Sequence, residues 1–295
     1  MGATRTGRKP PRVGDQPLFR RMLIGIVLVI VALLIVAPLV VIGVEAFSKG
    51  WAVYRDTIIH PDTLHAIGLT VFAALVAVPV NTAFGVAAAW SITKFDFRGR
   101  RFLLVVIEIP FSVSPIVAGV AYLFVYGLQG VFGPTLDEYG IKVLFAIPGI
   151  ILASMFVTAP FVARELIPLM QAQGRDLEEA ATSLGASGWR TFFSVTLPNI
   201  KWALLYGVVL CNARVMGEFG AVSVVSGNIR GQTNTLPLHI ELLYHDYQAA
   251  GAFAAASILA LIAVFTIIAK VALERQGAGR ARRPALVANA AEKTQ

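Results

Sequence analysis

The chain has 295 residues, of which 57% are hydrophobic and only 14% charged, and its mean hydropathy is +0.72. Soluble domains carry about 45–50% apolar and about 25% charged residues, so the composition is that of an integral membrane protein, which the helix-length apolar runs below make an all-α membrane protein. A net charge of +8 raises the possibility of nucleic-acid binding, but the basic residues flank apolar runs, where membrane topology places them, and no nucleic acid is expected as a partner.

A basic tail, 1–21, carries Arg5, Arg8, Lys9, Arg12, Arg20 and Arg21. The apolar run 22–47 that follows is longer than the core of a secretory signal, about 7–15 residues, so it is a retained span. Further runs at 64–93, 102–127, 143–166, 202–225 and 248–273 are also long enough for the roughly 20 residues a helix needs to cross a bilayer. These make a six-helix transmembrane domain over 22–273. The loop after the second run holds Lys94, Arg98, Arg100 and Arg101, and a second basic tail, 274–295, follows the sixth. The segments at 48–63, 128–142 and 226–247 hold few basic residues. By the positive-inside rule both termini and the 94–101 loop are cytoplasmic. Pro38, Pro79, Pro110, Pro115, Pro148 and Pro160 within the spans predict bent helices, because the backbone groups a proline frees need partners from neighbouring helices. Cys211 is the sole cysteine, which excludes an internal disulfide and fits a packed, inert thiol. Four scattered histidines show no ligand spacing, so no metal site is assigned.

The polar insert EAATSLGASGWRTFFSVTLP, within a cytoplasmic segment at 170–200, departs from the rest. Asp176 with Glu179 resembles a capping box. Leu177, Ala180, Ala181 and Leu184 share a helical face, and Gly185 is suited to ending the helix in a left-handed conformation. A second short helix, 189–197, is expected to break at Pro198. A hairpin lying on the membrane would carry mainly basic residues on its polar side, whereas Asp176, Glu178 and Glu179 face a single Arg175 here. A small, Ala-rich face fits a groove on another protein better.

Glu179-Ala180-Ala181, Gly185 and Leu197-Pro198, with valine at 195 in place of the usual isoleucine, resemble the EAA loop of bacterial ABC importer permeases. The stretch 212–227, NARVMGEFGAVSVVSG, resembles the oxyanion branch: sulfate, molybdate and tungstate permeases. AFSKG at 46–50, AVPVN at 77–81, FSVSP at 111–115 and LPNIKWALLYG at 197–207 are similar to the W-type subunit of sulfate/thiosulfate importers, with the related sister T-type subunit as the alternative. The resemblance implies a type I importer permease fold in a bacterial inner membrane. It implies that Glu179, Ala180, Ala181 and Gly185 form the coupling helix that docks on the motor. It also implies a second, T-type permease, two ATP-binding subunits holding ATP and Mg, and a periplasmic sulfate/thiosulfate-binding protein.

Arg214 and Glu218 are spaced to pair on one helix face. Intramembrane charges face the bundle interior or water, so either Arg214 adds positive potential to a dianion passage or the pair neutralises itself and fixes packing. Glu108, Arg164 and Glu165 are weaker candidates. The chain contains no G-x-x-x-x-G-K-[ST] motif, so ATP is not expected to bind it, and no H-E-x-x-H or G-x-S-x-G hydrolase pattern. It is expected to be a non-catalytic subunit. A molybdate or tungstate importer is the same-class alternative. An ion-driven secondary transporter is the alternative from another class, but it would usually carry inverted repeats, and no internal repeat is evident.

Overall fold

A computed structural model describes residues 17–292; Arg5, Arg8, Lys9, Arg12 and Lys293 of the two tails lie outside the described residues. Among the described residues every regular element is helical. In chain order they are α1 (Phe19–Ala46), α2 (Trp51–Ile59), α3 (Pro61–Lys94), α4 (Arg100–Ser112), α5 (Pro115–Tyr126) and α6 (Gly133–Glu138). After these come α7 (Ile147–Gln173), α8 (Asp176–Ser183), α9 (Gly188–Met216), α10 (Gly220–Val225), α11 (Leu236–His245) and α12 (Ala249–Glu292). The helices α1, α3, α7 and α9 and the stretch Ala249–Ile268 of α12 are each long and apolar enough to span a bilayer, and α4 with α5 forms a sixth span bent by 107°.

The prolines act less uniformly than the sequence suggests. Pro115, Pro148 and Pro160 lie in the first turn of helical segments, where a missing N–H costs nothing. Pro79 and Pro110 stay inside continuous helices. The sharp bend falls at Val113 and Ser114, with ψ of 136° and 133°, because a residue before proline is driven from the helical to the extended region. Pro38 and Pro198 each follow a five-residue π turn, in which Ala37 N–H bonds the Ala32 carbonyl and Leu197 N–H the Phe192 carbonyl. Such widening relieves the clash between a proline ring and the carbonyl four residues back. The helix expected to break at Pro198 therefore does not: it runs on from Gly188 to Met216 as one span. At its far end the predicted span 202–225 stops early, and Gly217, Glu218 and Phe219 separate it from α10.

The main core lies where α3, α7 and α9 meet, around Ala77, Ala89, Ile92, Val162, Leu166, Met170, Ile200 and Cys211. Cys211 is fully buried, with Sγ 3.9 Å from the Thr158 carbonyl. Small side chains let these helices approach, as membrane interfaces favour. A break in α7 is sealed from α3: Ala159 N–H turns to the Phe156 carbonyl, and the Met155 carbonyl it leaves accepts Asn81 Nδ2 at 3.0 Å. Asn81 also donates to Thr158 Oγ1 at 2.7 Å. A Cβ on Gly85 would lie 2.7 Å from Val162 Cβ and 3.0 Å from Ala163 N. Gly85→Val should accordingly destabilise the bundle by about 1–3 kcal/mol through overpacking, read as a lower thermal midpoint in detergent. Gly68→Ala, where a Cβ meets nothing within 4 Å, should leave the midpoint unchanged or slightly raised.

Candidate coupling segment and bundle ion pair

Helix α8 begins at Asp176, with Arg175 as its N-cap and no side-chain cap bond, so the expected capping box is not formed. Asp176, Glu178 and Glu179 sit in the first turn instead, where negative charge complements the positive end of the helix dipole. The C-terminus follows expectation. Gly185 has φ +85°, its N–H bonds the Thr182 carbonyl at 2.9 Å, and Ala186 N–H bonds the Ala181 carbonyl at 3.0 Å. This is the paired closure of a Schellman motif. Ser187 caps the next helix by accepting Arg190 N–H.

No residue of α8 is buried. Leu177 is 56% exposed and Leu184 89%, and Glu179, Ala180 and Gly185 are exposed beside them. The predicted apolar face thus exists, with Ala181 half-buried and Leu177, Ala180 and Leu184 left open by the rest of the described residues. A concavity of about 260 Å³ opens next to it, lined by Ala181, Leu184, Gly185, Arg190 and Val195 among others. The residues singled out in the insert therefore gather at one surface.

Glu178 turns the other way. Its Oε1 lies 2.8 Å from Lys94 Nζ and accepts the Thr196 hydroxyl at 3.0 Å. Beside it Arg175 donates to both Asp96 oxygens at 3.0 and 3.1 Å, and this guanidinium holds the Asp96 carboxyl below its usual value of 3.8. In the sequence Lys94 is legible only as loop charge and Glu178 only as an acidic side chain, and no motif links them.

In the bundle, Arg214 and Glu218 do pair, at 2.5 Å, but not along one helix, since α9 ends at Met216. Glu218 is 2% exposed, and its Oε1 accepts Ala221 N–H at 2.9 Å, tying the turn after α9 to α10. Its Oε2 makes the close ion contact without an aligned hydrogen bond. The three weaker charged candidates lie on α4 and α7, where Glu165 is half-buried. Arg164 lies over the Phe111 ring at 4.1 Å, and Glu108 is exposed on α4.

A bundle of apolar, bilayer-length helices with a polar hairpin exposed beside it defines a multi-pass membrane protein. Residues 81–276 match the family model of the binding-protein-dependent transport system inner membrane component, and the chain belongs to that family. It is 54% identical over 252 residues to the sulfate transport system permease protein CysW of Escherichia coli (strain K12), covering 85% of this chain and 87% of that protein. Identity to the CysT permease of the same organism is 36% over 250 residues, covering 83% and 90%. The W-type resemblance is thus the nearer of the two. The fold is also that of a chain in the crystal structure of a bacterial alginate ABC transporter complexed with a pentasaccharide-bound periplasmic protein, with TM-score 0.69, 18% identity, and coverage of 85% and 92%.

Proposed function

We propose that this chain is the W-type permease subunit of an ATP-driven sulfate importer and forms one half of its translocation pathway. Support comes from its similarity to sulfate transport permeases, joined to the uncovered apolar face of α8, on which Leu184 is 89% exposed. An exposed leucine on a helix that buries nothing calls for a partner groove. Both termini, the 94–101 loop and α8 lie in the cytoplasm, by the distribution of basic residues. A T-type permease completes the pathway, two ATP-hydrolysing subunits grip α8 through Glu179, Ala180, Ala181 and Gly185, and a periplasmic protein delivers the anion. ATP binding closes the motor, and α8 carries that movement into the bundle, which turns from inward- to outward-facing.

The test is uptake of labelled sulfate into proteoliposomes holding this chain, the second permease and the ATPase, with the binding protein outside. Uptake should require ATP and every component. Uptake by this chain alone on an ion gradient would overturn the proposal, and preferential uptake of molybdate would reassign the substrate.

A further inference from the structure

Lys94 is the last residue of α3, at a helix end where a cation suits the dipole, yet its side chain is only 6% exposed. A lysine at an aqueous boundary ordinarily extends its ammonium into water. Here the ammonium turns inward. It lies 2.8 Å from Glu178 Oε1 of α8 and 2.5 Å from the carbonyl of Gly174, the residue that closes α7. Glu178 is itself only 18% exposed, and the same oxygen accepts the hydroxyl of Thr196, which is 1% exposed in the π turn at the start of α9. One ion pair, largely shielded from water, therefore joins the ends of α3 and α7, the body of α8 and the entry to α9.

The chain itself connects α8 to α7 and α9 but not to α3, although α3 supplies much of the bundle core. We infer that Lys94 and Glu178 are positioning residues that carry the movement of α8 into α3, so that the motor's stroke reaches span two directly as well as through the continuous backbone of spans four and five. This rests on the reading of α8 as the docking helix. Glu178 faces the bundle, while Leu177, Glu179, Ala180 and Leu184 remain exposed, so the link leaves the docking face free. The neighbouring Asp96–Arg175–Arg100 cluster spans the same gap but is more open to water, with Asp96 74% exposed. Exposed pairs contribute little and are weakened by salt, so the better-shielded Lys94–Glu178 link is the stiffer one.

The experiment compares transport per ATP in the full complex, with binding protein and labelled sulfate, for wild type, Lys94→Met, Lys94→Arg, Glu178→Gln and Asp96→Asn. Lys94→Met and Glu178→Gln should lower sulfate moved per ATP hydrolysed by about tenfold, an ordinary size for coupling between distant sites. Lys94→Arg, which keeps charge and donors, should restore most of it, and Asp96→Asn should change it little. Should Lys94→Met fail to assemble, Glu178→Gln, isosteric and still able to accept from Thr196, gives the same reading. Variants with wild-type transport per ATP would overturn the inference. So would hydrolysis and uptake falling in equal proportion, since that marks loss of folded complex alone. Absence of ATP-dependent sulfate uptake in the wild type would instead overturn the proposed function, and the two failures are distinguishable.

Discussion

Replacing Gly185 with valine should cut ATP-coupled uptake by tenfold or more while the chain still inserts and folds. Space is not the obstacle, because a Cβ there would meet nothing within 4 Å. The backbone is. At φ +85° an L-residue in the left-handed region costs about 1–2 kcal/mol, and a β-branched residue is a clear outlier there. Valine drives Gly185 out of that conformation and breaks the bonds from Gly185 N–H to Thr182 and from Ala186 N–H to Ala181. The end of α8 then extends or frays, and the exposed Leu184 turns away from the groove proposed to receive it. Because α8 contributes no buried residue, the bundle core should be untouched and detergent stability nearly unchanged. Gly185→Asn, the substitution best tolerated at such a cap, should keep much of the activity. ATP hydrolysis and sulfate uptake are measured together: hydrolysis without uptake supports docking through α8, and normal uptake by the valine variant would remove it.

The features legible in the sequence are those written by local chemistry. Six apolar runs give six spans because hydropathy and length suffice to mark a membrane helix. Gly185 marks the end of α8 because only a few residues accept that backbone conformation. Proline was the less reliable guide. Six prolines suggested general bending, yet Pro79 sits in an unbroken helix, and the 107° break arises where Pro115 forces Ser114 into extended backbone. Pro198 suggested a stop, and a π turn absorbed it. The apolar run 202–225 concealed the end of α9, because hydropathy does not register the turn between Gly217 and Gly220. What stayed illegible is tertiary. Lys94 and Glu178 are far apart in the chain, and nothing in either neighbourhood names the other. The capping box failed for a related reason: Asp176 is the first helical residue rather than the cap, and Glu178, not Glu179, is the acid that the fold uses internally.

Glu218→Ala should be among the more damaging substitutions in the bundle, lowering stability by about 1–3 kcal/mol. It leaves the Ala221 N–H without its acceptor and the Arg214 guanidinium, a third exposed, without its partner. The carboxylate is 2% exposed and serves two groups at once, the Arg214 guanidinium at 2.5 Å and the Ala221 N–H at 2.9 Å. Alanine abandons both. Helix α10, whose start depends on the second bond, packs on α5, where a Cβ at Gly119 would lie 2.8 Å from the Ala221 carbonyl, so the damage spreads to the bent third span. Arg214→Gln alone should also destabilise, leaving the carboxylate buried without its cation. The double variant Arg214→Gln with Glu218→Gln should recover stability to within about 1–2 kcal/mol of wild type, because neutral amides can bond each other and position 218 can still accept from Ala221. That double variant separates the two roles open to the pair. A guanidinium this close to a buried carboxylate carries little net field for a passing dianion, so the folded double variant should transport sulfate at nearly the wild-type rate. Thermal midpoints in detergent, followed by uptake in proteoliposomes, decide it. A double variant that folds normally and has lost sulfate uptake would place the charge of Arg214 in the pathway.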